Sequence, residues 1–123
     1  MKHTVLIVDD FNISNEIVSD HLKKMGFETI SCLRALKALE ILKIKQIDIV
    51  ITDLTMPEMD GLELLTELRN ISGHESTPVL FLSATNDPEI ITAAENLGIE
   101  AWLKKPVNLE ELDRILMNII TGK

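Results

Sequence analysis

The sequence predicts an α/β domain, a doubly wound parallel sheet of five strands with helices on both faces. Three observations carry this. The apolar runs Val5 to Val8, Ile49 to Ile51 and Val79 to Leu82 are short and lack polar alternation, as strands buried on both faces do. Longer segments with apolar residues at helical spacing separate them, so strand and helix alternate along the chain. A length of 123 residues suits one compact domain, read here as a single unit over residues 1–123, with right-handed crossovers distributing the helices.

The first strand, Val5 to Val8, leads into a helix whose apolar positions are Ile13, Ile17, Leu22 and Met25, with Gly26 as its C-cap. Glu28 to Cys32 is polar enough to form an edge strand. Ala35, Leu39 and Leu42 mark the second helix, and Ile49 to Ile51 the third strand. Leu62, Leu65 and Leu68 mark the third helix, and Val79 to Leu82 the fourth strand. The fourth helix carries Ile90, Ala94 and Leu97 and stops at Gly98. Ile99 to Leu103 reads as the fifth strand, and Leu109, Leu112, Ile115, Leu116 and Ile119 as the last helix, with Asn108 and Glu111 spaced as a capping box.

Hydrophobic residues at 46% and charged residues at 26% argue against a disordered or fibrous chain. No apolar run approaches the about 20 residues of a membrane span. Met1 to Val8 runs into Asp9 and Asp10 without a signal-like apolar segment or cleavage site. The single cysteine, Cys32, excludes an internal disulfide and a cysteine-based zinc site, and it reads as a small buried hydrophobe. A cytoplasmic location is expected. The net charge of −8 repels nucleic-acid phosphates but tolerates a divalent cation. His3, His21 and His74 lack a second ligand at metal spacing and are expected in surface or loop roles.

In a doubly wound sheet, ligands bind beyond the carboxyl ends of the strands. Asp9 and Asp10 follow the first strand, Asp53 the third, Ser83 the fourth and Lys105 the fifth. Three carboxylates gathered there repel one another, which calls for a bound cation or a raised pKa, and hard oxygen ligands suit Mg²⁺. Lys105 and Ser83 add a positive charge and a hydroxyl, the equipment for a phosphoryl group. A carboxylate can serve as nucleophile to give an aspartyl phosphate, and Asp53, the lone acid after the central strand, is the candidate. Any one of these residues alone is an ordinary turn or cap residue; their coincidence at successive strand ends points to a site.

The chain resembles the receiver domain of response regulators, the phosphoacceptor module of two-component signalling, over essentially its whole length. The resemblance rests on Val5-Leu6-Ile7-Val8-Asp9-Asp10, on Asp48 to Asp53 with Thr55-Met56-Pro57-Glu58-Met59-Asp60-Gly61, on Leu82-Ser83-Ala84 and on Lys104-Lys105-Pro106. It implies a flavodoxin-like (βα)5 sheet of strand order 2-1-3-4-5, and phosphorylation of Asp53 by the phosphohistidine of a sensor kinase or phosphotransfer protein. It further implies direct Mg²⁺ ligation by Asp10, Asp53 and the Thr55 carbonyl, with Asp9 acting through water. Lys105 would pair with the phosphoryl oxygens, Ser83 would act as the switch hydroxyl, and Pro106 would follow a cis peptide bond. Trp102 stands where the family usually has Tyr or Phe, so it is either the rotating aromatic of the switch or a half-buried packing residue. Ala35 and Lys37 depart from the family pattern away from the site. Thr55 and Thr85, two residues beyond Asp53 and Ser83, would set the lifetime of the phosphorylated form. Met56, Pro57 and Met59 are expected to close over the apolar side of Asp53.

Two rival functions share parts of this pattern. Phosphatases resembling haloacid dehalogenases also use an aspartate nucleophile with Mg²⁺ and a lysine, but they need a second aspartate where this chain has Thr55. A nucleotide- or flavin-binding module is disfavoured by the absence of a glycine-rich phosphate loop. An adaptor that is never phosphorylated is the remaining alternative. The expected role is therefore a signalling module that catalyses only its own phosphorylation and dephosphorylation. Its output would run through the fourth helix, fifth strand and fifth helix, which in the family bind targets or a second copy, with no direct nucleic-acid or membrane partner. The chain is expected to be a stand-alone receiver or the receiver of a longer regulator.

Overall fold

A computed structural model describes residues 2–122. Strand and helix alternate in the order β1 (Thr4–Val8), α1 (Asn12–Lys24), β2 (Glu28–Cys32), α2 (Ala35–Ile44), β3 (Ile49–Asp53), α3 (Gly61–Arg69), β4 (Val79–Ser83), α4 (Pro88–Asn96), β5 (Ala101–Lys104) and α5 (Leu109–Thr121). All neighbouring strands pair in parallel, in the order β2-β1-β3-β4-β5. The reversal of winding falls between β1 and β3, whose carboxyl ends bear Asp9, Asp10 and Asp53.

Successive side chains of a strand face opposite sides of the sheet, and this alternation divides the core in two. Leu6, Val8, Val50 and Phe81 face the layer of α2, α3 and α4, where they meet Ala38, Leu42, Leu64, Leu65, Leu68 and Ala94. Val5, Ile7, Ile49, Ile51, Leu80, Leu82 and Leu103 face the opposite side, against Val18 and Leu22 of α1 and Leu112 and Leu116 of α5. Each fully buried Leu, Ile or Phe contributes about 1.5–3 kcal/mol relative to an exposed one, so these two sandwiches supply most of the driving force. That explains why β1, β3 and β4 carry unbroken apolar runs.

The helix ends follow their capping residues. Gly26 and Gly98 lie just beyond α1 and α4 at φ of 97° and 83°, the left-handed conformation that glycine adopts without a Cβ penalty. Asn108 accepts the Glu111 N–H at 3.0 Å as the N-cap of α5. The reciprocal capping box belongs instead to α3, where Asp60 and Glu63 accept from each other's backbone N–H.

Helix α1 departs from the expected face. Its buried residues are Asn15, Val18, Ser19 and Leu22, whereas Ile13, Ile17 and Met25 are exposed. The sheet meets the stripe that contains two polar residues because Asn15 and Ser19 have hydrogen-bond partners across the interface, which removes the cost of burying them. Leu97 is likewise exposed, and α3 buries Leu64 along with Leu65 and Leu68 while Leu62 is only partly covered. β5 begins at Ala101 rather than Ile99, because the Ile99 N–H is engaged by the Ala94 carbonyl in the closing turn of α4.

Among the described residues, no helix is long and apolar enough to cross a membrane.

Candidate functional site

The ladder of the sheet fixes the backbone that carries the site. Beyond the strands proper, the N–H groups of Asp9, Leu54 and Lys105 donate to the carbonyls of Cys32, Leu82 and Ser83 at 3.2, 3.2 and 3.0 Å. Asp53 and Ser83 are the final residues of β3 and β4, and Asp9 and Lys105 directly follow β1 and β5. Their side chains are therefore set by strand pairing rather than by mobile loops.

The predicted charged residues converge. Lys105 Nζ donates to Asp9 Oδ2 at 3.2 Å and to Asp53 Oδ2 at 3.0 Å. Asp9, Asp10 and Asp53 each offer a carboxylate oxygen within 4.8 Å of the others. Asp9 is buried, Asp53 is buried and Asp10 is exposed, so the cluster opens to solvent on the Asp10 side. Asp9 Oδ1 accepts the Phe11 N–H at 2.9 Å and Asp53 Oδ1 accepts the Thr55 N–H at 3.4 Å. One ammonium thus bonds two of three clustered carboxylates.

The electrostatics record that imbalance. Burial pushes the Asp53 carboxyl above the ordinary carboxylate range, and the Asp9 charge adds to the rise; Lys105 and the Thr55 N–H oppose it without cancelling it. Burial pulls the Lys105 ammonium down, but its hydrogen bonds and charge pairing with Asp53 and Asp9 outweigh this and raise its pKa. A hard divalent cation fits the donor set, because three carboxylate oxygens converge at an opening and the lysine leaves their charge in excess.

Gly61 makes a close approach to this backbone. A Cβ there would lie 2.8 Å from the Asp53 carbonyl oxygen and 3.0 Å from the Leu54 Cα, so any larger residue must displace the strand end that bears Asp53. The Gly61 N–H also donates to the Leu54 carbonyl at 2.7 Å, closing the β3–α3 loop. Met56 is buried in that loop and Met59 packs against the core cluster that contains it, whereas Pro57 is exposed. Thr55 is exposed. The Lys105–Pro106 peptide is cis.

The side chains of Ser83 and Trp102 take other partners than the charged residues. Ser83 is buried, one residue beyond the Asp53–Leu82 pair, and its Oγ accepts the Thr85 N–H at 3.1 Å. The Thr85 Oγ1 in turn accepts the Asp87 N–H at 3.2 Å, and Asp87 caps α4. Trp102 is partly buried and meets Phe81 edge to face, with ring centroids 5.8 Å apart and planes at 64°. The geometry is that of a packed aromatic pair in the α2–α3–α4 layer.

A cleft of ≈ 590 Å³ gives access to Asp53, with Asp10, Phe11, Ile17, Lys105 and Pro106 among its walls. Ile17, misplaced by the apolar pattern of α1, thus lines the approach to the site rather than the core. Cys32 is buried, and burial pushes its thiol up to about 11, in keeping with a packing role. His74 is not at the surface: it is 2% exposed, with Nδ1 2.8 Å from the Thr77 hydroxyl and Nε2 3.2 Å from the Lys45 carbonyl. Two supporting groups escaped the sequence reading. Asn15 Nδ2 donates to the Asp9 and Cys32 carbonyls, and Arg34 pairs with Glu58 across the β2–α2 and β3–α3 loops. The only trace of Asn15 is a polar residue three positions before Val18 on the buried stripe.

Residues 5–117 match the model of the response regulator receiver domain family. The transcriptional regulatory protein CrdR of Helicobacter pylori is 32% identical over 113 residues, covering 92% of this chain and 53% of that protein. The two-component response regulator ORR1 of Oryza sativa subsp. japonica is 34% identical, covering 90% of this chain and 52% of that protein. The chain therefore spans about half the length of these relatives. Among solved structures, the chemotaxis response regulator CheY4 of Vibrio cholerae superimposes with a TM-score of 0.90 at 31% identity, covering 97% of this chain and 99% of that one. With the sheet order, the convergent strand ends and the matched residues in agreement, the chain belongs to the receiver domain family of two-component response regulators.

Proposed function

We propose that residues 1–123 act as one receiver unit in which Asp53 accepts a phosphoryl group from the phosphohistidine of a sensor kinase or phosphotransfer protein, in a Mg²⁺-dependent reaction. The observation that carries this reading is the buried Asp53 carboxylate, bonded to Lys105 at 3.0 Å and within 4.8 Å of carboxylate oxygens of Asp9 and Asp10. Asp10, Asp53 and the Thr55 carbonyl would hold the metal directly, with Asp9 reaching it through water. Bound Mg²⁺ would neutralise charge on the transferring phosphoryl oxygens.

The residues of the chain have separate tasks. A carboxylate oxygen of Asp53 forms the new O–P bond as the donor's P–N bond breaks, and the electron pair leaves on the imidazole nitrogen. Lys105, already bonded to Asp53, stays charged and moves its hydrogen bonds onto the incoming phosphoryl oxygens. Burial keeps competing water from the carboxylate, while the cleft beside Asp10 and Phe11 admits the donor. Ser83 would exchange its Thr85 contact for the phosphoryl group, biasing the loop that leads into α4. The α4, β5 and α5 face would pass that change to an output partner or a second copy. Trp102 is read as a packing residue rather than a rotating switch, a reading supported by its edge contact with Phe81 and its partial burial against that layer. The chain is proposed to work in the cytoplasm and to catalyse only its own phosphorylation and dephosphorylation.

Intact mass after incubation with Mg²⁺ and a small phosphodonor tests this reading. A metal-dependent, acid-stable and base-labile adduct on the wild type, absent from Asp53→Asn, is expected. No adduct on a wild type that binds Mg²⁺ would point to a phosphorylation-independent adaptor. Larger or charged residues at Thr55 or Thr85 are expected to alter the decay of the adduct, and unchanged decay in both refutes their assigned role.

A further inference from the structure

The edge strand β2 ends without a reactive group, yet its last carbonyl is part of the scaffold of the acidic cluster. Asn15 is 4% exposed, on the sheet-facing stripe of α1. Its Nδ2 donates to the Asp9 carbonyl at 3.2 Å and to the Cys32 carbonyl at 3.0 Å. The Cys32 carbonyl also accepts the Asp9 N–H at 3.2 Å, so one amide group ties the end of β1, the end of β2 and the first turns of α1 into a closed ring of bonds. Between these anchors runs the short segment Asp10–Phe11, which carries the exposed carboxylate of the cluster and the N–H that orients Asp9. A buried primary amide costs free energy unless both hydrogens are used, and here both are.

We propose that Asn15 is a positioning residue for the metal ligands: it holds the β1–α1 turn so that the Asp9 and Asp10 carboxylates stand ready beside Asp53 before a cation arrives. A helix that needed only to pack on the sheet would present an apolar residue at this position, as it does at Val18 and Leu22. The polar choice is explained by the two carbonyls it reaches. Without it the Asp9 carbonyl loses this donor, and the turn that carries Asp10 keeps only the backbone bond from the Asn15 N–H to the Phe11 carbonyl as its tie to α1. Groups that orient metal ligands from behind commonly change affinity by about 10–100-fold when removed. The inference rests on the reading of Asp9 and Asp10 as metal ligands.

Calorimetric titration of the full chain with Mg²⁺ tests it, using the wild type, Asp10→Asn, Asn15→Ala, Asn15→Leu and Ser19→Ala. Ser19 is the other buried polar residue of α1, and its hydroxyl bonds Thr29 at 3.1 Å, away from the acidic pair. Both Asn15 variants are expected to weaken Mg²⁺ binding about tenfold. Ser19→Ala, which removes the part-buried bond to Thr29, is expected to lower thermal stability and to bind Mg²⁺ as the wild type does. Folded Asn15 variants with wild-type affinity overturn the inference, while loss of binding in Asp10→Asn shows that the reading of the ligands stands without it. A wild type that binds no Mg²⁺, or an Asp10→Asn variant that binds normally, overturns both. If neither Asn15 variant folds, the wild type decides through its amide resonances: the Asn15 side-chain amide is expected to shift with Mg²⁺ at the same midpoint as the Phe11 backbone amide, and an Asn15 amide indifferent to Mg²⁺ overturns the inference.

Discussion

At the amino end of the sheet, Lys45 and Thr77 close around the buried His74; at the carboxyl end, Lys105 bonds Asp9 and Asp53, with Asp10 beside them. Both ends bury polar groups beneath loops. At the amino end the polar groups are matched: a backbone carbonyl can only accept, so His74 Nε2 donates to Lys45, and Nδ1 meets the Thr77 hydroxyl, which can donate or accept. Arg69 donates to the carbonyls of His74, Thr77 and Gly98, and Asp48 accepts the Thr4 N–H at 2.7 Å. At the carboxyl end one cation answers three anions. Polar burial alone therefore does not mark a functional site; unbalanced charge beside an open cleft does.

Four measurements can break or sharpen that contrast. Lys105→Met removes the one cation of the cluster, and the rate of adduct formation from a small phosphodonor at saturating Mg²⁺ is expected to fall by about 100-fold, the usual cost of losing a preorganised charge partner. A rate within threefold of wild type would show that the ammonium is only a counter-charge. His74→Ala, at the balanced end, leaves the Lys45 carbonyl and the Thr77 hydroxyl without their partner. It is expected to cost about 2 kcal/mol in urea unfolding while leaving Mg²⁺ affinity unchanged. A changed affinity would mean that the two ends communicate.

Asp53→Asn removes one of the mutually repelling carboxylates and is expected to stabilise the metal-free protein by about 1 kcal/mol near neutral pH. The sign of its pH dependence follows from the raised Asp53 pKa, which burial causes. Between the ordinary value of 3.8 and the raised folded value, the native state binds more protons than the unfolded one, so the Asp53 contribution to stability falls as pH rises through that window. The advantage of the Asn variant should shrink as pH is lowered toward 4 and on addition of Mg²⁺; a pH-independent difference in denaturant titrations refutes this account. Arg34→Ala breaks an exposed pair, with side chains 62% and 48% accessible, and is expected to change stability by about 0.5 kcal/mol or less. A larger loss would show that the β3–α3 loop depends on that tie.

The strands were the most legible part of the molecule. Val5 to Val8 and Val79 to Leu82 are buried on both faces, so nearly every position must be apolar and the run has no period to misread. The convergence of the charged residues was legible because a parallel sheet gathers its carboxyl ends at one edge, so that Asp9, Asp53 and Lys105 needed only to lie at or just beyond the ends of their strands. Helix α1 was not. Its most apolar stripe, through Ile13 and Ile17, faces the cleft and solvent, while Asn15 and Ser19 go inside. Periodicity counts apolar residues and carries no information on whether a buried amide will find carbonyls to bond. His74 lies in the expected loop but buried rather than at the surface: Gly73 and Glu75 make its neighbourhood polar, while Thr77 and the Lys45 carbonyl satisfy its ring.

The sequence by itself determined the order of elements, the two faces of the sheet and the gathering of three acids and a lysine at one edge. These follow from strand alternation and the direction of a parallel sheet, which local pattern specifies. Tertiary structure alone decided which stripe of α1 turns inward, that Ser83 rests on the Thr85 amide, that Trp102 packs on Phe81, and that Asn15 joins the ends of β1 and β2. Those outcomes depend on partners distant in the chain, whose hydrogen bonds and contacts exist only once the sheet has brought them together.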